Sequence, residues 1–196
     1  MQKEVLKLAI PNVISNVAVP LLGLVDMAVL GHLNDVKYLG GVALGSLVFN
    51  FIYWNFAFLR MGSSGLTAQA YGEGNKKACS LILSRALVVG GIGALLLIAG
   101  QTFIDWAAFS LLDGGADVKD LARTYFYIRI YAAPATIGMY ALTGWFIGMQ
   151  NSIIPMVVSI AVNFANILLN LVFVFNLGMK TEGVALGSLI AQYLGL

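Results

Sequence analysis

Long apolar runs alternate with short polar segments along the whole chain. Five runs are long enough to cross a bilayer: Leu8–Leu30, Leu39–Leu66, Leu81–Ala108, Leu121–Ile147 and Ile154–Leu177. A sixth, Gly183–Leu196, stops after 14 residues and reads as a span cut short. About 20 mostly apolar residues are needed to cross a hydrocarbon core roughly 30 Å thick. The separators are Gly31–Tyr38, Thr67–Ser80, Phe109–Asp120, Gly148–Ile153 and Gly178–Glu182, short enough to join antiparallel neighbours. The pattern predicts an all-α, polytopic transmembrane helix bundle of about six spans, forming one unit over residues 1–196. A β-barrel would show alternating segments of about ten residues instead.

Composition agrees with this reading. Of the 196 residues, 60% are apolar, and 11 basic plus 9 acidic residues make only 10% charged. Mean hydropathy is +0.88. Soluble domains carry about 25% charge. A net charge of +2 is too small to draw the chain to nucleic acid. One cysteine, Cys79, and one histidine, His32, exclude an internal disulfide and any multi-histidine metal site. The first run carries two prolines and an aspartate, lacks a small-residue cleavage site, and so stays as a span rather than acting as a signal peptide. Lys3, Lys7, Lys76, Lys77 and Arg85 face Lys37, Lys119, Arg123 and Lys180 across the membrane, an excess that places the N-terminus in the cytoplasm.

A few polar residues interrupt the apolar runs. Asp26 lies in the last third of span one. A carboxylate there costs about 3 kcal/mol on insertion scales, and intramembrane acids mark ion or proton pathways. Alternatively, Asp26 sits hydrated at the outer interface. Pro11 and Pro20 share that span; a proline removes one helical hydrogen bond, so Pro20 predicts a bend or hinge, while Pro11 suits a first turn. Asn163, Asn166 and Asn170 fall on one helical face of span five. Such a stripe lines a cavity, coordinates a cation, or bonds neighbouring helices. Together with Asp26 it predicts a polar pocket. Tyr140 and Thr143 share a face of span four and offer hydroxyls and an aromatic face to a lipophilic cation, or else simply pack. Arg60, the main intramembrane basic residue in this reading, is expected to snorkel to the cytoplasmic interface. There is no G-x-x-x-x-G-K-[S/T] phosphate loop, H-E-x-x-H or G-x-S-x-G motif, so the chain reads as a non-enzyme without a cofactor.

Several stretches resemble one family. Phe58-Leu-Arg-Met-Gly-Ser-Ser-Gly-Leu-Thr-Ala-Gln-Ala-Tyr-Gly-Glu-Gly-Asn75 is similar to the end of span two and the following loop of the MATE (multidrug and toxic compound extrusion) transporters, most of all the DinF-type (DNA-damage-inducible) branch. Pro11-Asn12 and Val25-Asp26-Met-Ala-Val-Leu-Gly31-His32 resemble its first span. Gly148-Met-Gln150-Asn-Ser-Ile-Ile-Pro155, Asn166-Ile-Leu-Leu-Asn170 and Glu182-Gly183-Val-Ala185-Leu-Gly187 resemble its fifth and sixth. The resemblance implies the N-terminal lobe of a two-lobed, twelve-helix antiporter of a bacterial cytoplasmic (inner) membrane, exporting lipophilic or cationic compounds by alternating access. It implies Asp26 as the coupling residue, Asn166 and Ser188 beside it, Pro11 in the bending helix, and Tyr140 and Thr143 in the cavity. Where many members carry a second acid, this chain has Asn170. That favours H⁺ over Na⁺ as the coupling ion, because hard cations want anionic oxygens, although Na⁺ at Asp26, Asn166 and Asn170 stays open. Alternatives are a lipid or amphiphile flippase of related architecture, which a basic-lined cavity would favour, and a non-transporting truncated subunit. The missing lobe would come from a longer polypeptide or from a homodimer.

Overall fold

A computed structural model describes residues 9–11, 13–14, 17, 24, 26–31 and 35–196. The described residues between 9 and 31 are helical and are called α1. Pro20 and His32 lie outside the described residues.

The other helices are α2 (Val36–Trp54), α3 (Ala57–Gly72), α4 (Lys76–Ala99), α5 (Gln101–Leu111), α6 (Ala116–Arg129), α7 (Ala133–Gly148), α8 (Ile153–Leu171) and α9 (Thr181–Gly195). A 3₁₀ turn, Ile130–Ala132, joins α6 to α7, and a π-helical turn, Val172–Asn176, extends α8. No strand occurs among the described residues. Among the described residues, four stretches are long and apolar enough to cross a membrane: Val36–Gly72, Lys76–Ala99, Ala116–Gly148 and Ile153–Asn176. The chain is an all-α membrane bundle.

The helices outrun the apolar segments that announce them. Residues 67–72 and 76–80, expected in a loop, are helical, and the connection shrinks to Glu73–Asn75. Polar residues there serve as caps rather than as loop. The Asn75 side chain accepts from the Ala78 amide at 3.0 Å, and Gly74 takes φ +70°, open to glycine at little cost. The expected single span Leu81–Ala108 is also two helices. α4 alone covers about 36 Å at 1.5 Å per residue, so the crossing is complete before Gly100, and α5, at 11 residues, is too short for another. Pro134 cannot donate to the Ile130 carbonyl, which explains why the long helix breaks into a 3₁₀ turn just before it.

Spans two and four run parallel and side by side. α2 packs on α6 and α3 on α7, with α4 returning against α3 and α7. Glycines allow the approach. Gly41 meets Leu121 and Gly45 meets the Tyr125 ring, where an added Cβ would lie 2.6 Å from either. Gly144 lies against the Arg60 carbonyl with no room for any side chain. Phe49 then stacks on Phe126 at 5.4 Å, closing the core between α2 and α6. On the remaining flank α9 packs on both α8 and α6. Val88, Ile92, Leu95 and Leu96 stay exposed on α4, as a lipid-facing surface requires.

Candidate functional site

Asp26 is 1% exposed, so the hydrated-interface alternative does not hold. Two other helices bring donors to it. From α8, Asn170 Nδ2 donates to Asp26 Oδ1 at 2.6 Å. From α9, the Ser188 hydroxyl donates to Asp26 Oδ2 at 3.2 Å. Asn166 Nδ2 donates to Ser188 Oγ at 2.9 Å, and Asn170 Nδ2 also reaches Asn166 Oδ1 at 3.3 Å. Asn166, Asn170 and Ser188 are all fully buried. The helical spacing of Asn166 and Asn170 puts both amides on the face that meets α9, and Gly187 makes room. An added Cβ at Gly187 would collide with Asn170 Oδ1.

Asn163, one turn earlier, stands outside this cluster and lines a cavity of about 750 Å³. Asp26, Tyr140 and Thr143 line the same cavity. Pro11 is buried in α1 and is absent from that lining.

One expectation about basic residues needs correction, that Arg60 is the main one within the membrane. Arg60 lines the cavity from the early turns of α3, twelve residues before the end of that helix. Arg129 lines it as well and is 8% exposed. Its Nη1 donates to the Tyr125 hydroxyl at 2.9 Å, and its guanidinium faces the Phe49 ring at 5.7 Å. Its charge is felt at Asp26 across the cavity wall. The signal was present: Arg129 ends the 14-residue α6 and is followed by α7, deep inside an apolar stretch of 33 residues. Ser46, Tyr53 and Gln192 add further polar groups to the lining that the sequence reading did not single out.

Among the described residues no cluster of three or more His, Cys, Asp or Glu side chains is placed to hold a metal. The site is a single carboxylate held by amides and a hydroxyl, beside a cavity large enough for a small organic molecule.

A family model described as MatE matches residues 11–172. This chain belongs to the MatE family. It is 41% identical over 192 residues to the DNA damage-inducible protein F of Escherichia coli, covering 97% of this chain and 42% of that protein. Against the human Multidrug and toxin extrusion protein 1 the identity is 32%, over 97% of this chain and 33% of that protein. A crystal structure of a MATE protein in the bent conformation superposes with a TM-score of 0.90 at 23% identity, over 99% of this chain and 43% of the other. The chain thus spans well under half the length of these relatives, which is the share expected of one lobe of a two-lobed MATE transporter.

Proposed function

We propose that this MatE-family chain forms one lobe of a proton-coupled antiporter in the bacterial cytoplasmic membrane, N-terminus inside, exporting lipophilic or cationic organic compounds by alternating access. The observation that carries the reading is Asp26. It is a buried carboxylate on a cavity wall, and its hydrogen bonds reach two other helices. Buried intramembrane acids are costly and are kept for transport chemistry. An ionised Asp26 attracts a cation into the cavity, and a proton on it removes that attraction, so the two fluxes compete for one group. The relatives named for multidrug or toxin extrusion support the substrate class.

A proton suits the site better than Na⁺. Na⁺ is a hard cation that needs several oxygens. Asn170 turns its amino group, not its oxygen, toward Asp26. The second lobe would be supplied by a longer polypeptide or by a second copy.

The test is Asp26→Asn in full-length protein reconstituted with a pH gradient. Gradient-driven export of a cationic dye should fall to background while the protein stays in the membrane. Export undiminished by the substitution would refute the mechanism. A second reading, amphiphile flipping, is favoured by one observation, the two arginines Arg60 and Arg129 in the cavity wall.

A further inference from the structure

Among the described residues, three charged ones line the cavity: Asp26, Arg60 and Arg129. The wall thus offers charges of both signs, a carboxylate for a cation and guanidinium groups for an anion. The hydrogen-bonding state of the charges matters as much as their number. Both Asp26 oxygens already accept from the protein, one from Asn170 and one from Ser188. Arg129 is in the opposite condition. It is more than nine-tenths buried, one arm is committed to the Tyr125 hydroxyl, and among the described residues its Nε has no hydrogen-bond partner.

A guanidinium offers five N–H donors in a planar fork. Leaving a buried donor unmet is costly, and more so on a charged group. An oxyanion meets two such donors at once, in the bidentate geometry for which arginine is suited. The fork of Arg129 is held in place beforehand. Its Cζ stands 5.7 Å from the Phe49 ring centre and 5.9 Å from that of Tyr125, and the Tyr125 hydroxyl holds Nη1. Around it the cavity is lined by Phe49, Tyr53, Trp54 and Met139, an apolar wall for the body of a ligand.

Resting on the transport reading of this cavity, we propose that Arg129 anchors the acidic head of an amphiphilic organic anion. The head is a carboxylate, sulfonate or phosphate ester, and its apolar body lies along the aromatic wall. Arg60 is the second cation of the same wall. Asp26 opposes the anion by its charge, so neutralising Asp26 strengthens binding, the reverse of its effect on a cation.

The experiment uses full-length protein in phosphatidylcholine nanodiscs, titrated with anilinonaphthalene sulfonate as the anionic probe and ethidium as the cationic one, with empty discs subtracted. Saturable anion binding is expected. Arg129→Gln should weaken it about 10- to 100-fold, the range for loss of a charge-assisted hydrogen bond, while ethidium binding persists. Arg129→Lys, a point charge without the fork, should fall between the two. Equal anion affinity in the parent and in a folded Arg129→Gln protein overturns the proposal. If Arg129→Gln does not fold, Asp26→Asn decides: anion binding should tighten, and unchanged or weaker binding overturns the proposal. Replacing part of the phosphatidylcholine with phosphatidylglycerol separates the sources of the head group. Competition assigns the site to a lipid, and its absence to a free amphiphile, each with Arg129 as the anchor. Failure here leaves Asp26-dependent dye export standing. Conversely, export that ignores Asp26 would remove the antiport mechanism and leave Arg129-dependent anion binding intact.

Discussion

Replacing Gly187 by alanine tests whether the Asp26 cluster is held as the structure shows. A methyl group at position 187 would occupy the space of Asn170 Oδ1. Oδ1 is the far end of a side chain, so the swing itself costs little, but it drags Nδ2 with it. Nδ2 donates to Asp26 at 2.6 Å and to Asn166 at 3.3 Å, and both bonds would be lost. A bond to a carboxylate contributes about 1.5–3 kcal/mol and a neutral one about 0.5–1.5. Interhelical bonds in membranes fall toward the low end, so Gly187→Ala should cost about 2 kcal/mol. The Asn170 backbone nitrogen, 3.3 Å from the same Cβ, needs only a slight adjustment. Reversible unfolding in mixed micelles, applied to Gly187→Ala, Asn170→Ala and the double variant, measures the coupling. Each single change should cost about 2 kcal/mol, and the double variant no more than Asn170→Ala alone, a coupling near 2 kcal/mol. Additive costs would show that Gly187 and Asn170 act independently and would refute the argument.

Two further predictions follow from the helix contacts and the first loop. Gly144→Ala drives a methyl group into the Arg60 carbonyl, a backbone atom that cannot rotate aside, so α3 and α7 must part at about 1–3 kcal/mol; Gly62→Ala and Gly65→Ala, with nothing within 4 Å of the added carbon, should be neutral or stabilising by up to about 1 kcal/mol. Equal losses at all three positions in the same unfolding assay would contradict the close α3–α7 approach. Asp35 caps α2, and the Lys37 side chain and backbone amide hold its carboxyl below the usual carboxylate range. Its contribution is therefore complete above the unfolded-state pKa of about 3.9 and lost as pH falls through the lower folded value. Carboxyl NMR titration should find Asp35 moving part of the way back toward the ordinary range in Lys37→Met, which keeps the backbone amide, and no change there would remove the Lys37 side chain as a cause.

Hydropathy made the bundle legible because the lipid-facing surface must be apolar whatever the helices do inside. It marked where the chain meets hydrocarbon, not where helices end, so the helical residues of Thr67–Ser80 read as loop and the break at Gly100 was hidden in an apolar run. The asparagine stripe was legible for the same periodic reason. Its meeting with Asp26 was not, because that contact joins residues 144 positions apart. Family resemblance pointed to Asp26, Asn166 and Ser188 as neighbours, and the structure places them so. Arg129 escaped because it sits inside the expected span Leu121–Ile147 and belongs to none of the motif stretches. Only packing shows that it lines the cavity.

The cluster also bears on how one proton can move a helix. Asp26 belongs to α1, while its two donors belong to α8 and α9. On the proposed mechanism, protonation turns two bonds to a carboxylate into bonds to a neutral acid. Each then loses about 1–1.5 kcal/mol, the gap between charge-assisted and neutral hydrogen bonds. Two such losses amount to about 2–3 kcal/mol. Burial acts against them, because a carboxylate kept from water costs more than a neutral acid, so the proton also removes a penalty that the docked helix carries. Protonation therefore loosens α1 only where the lost hydrogen bonds to Asn170 and Ser188 outweigh that relief, and tightens its docking where they do not.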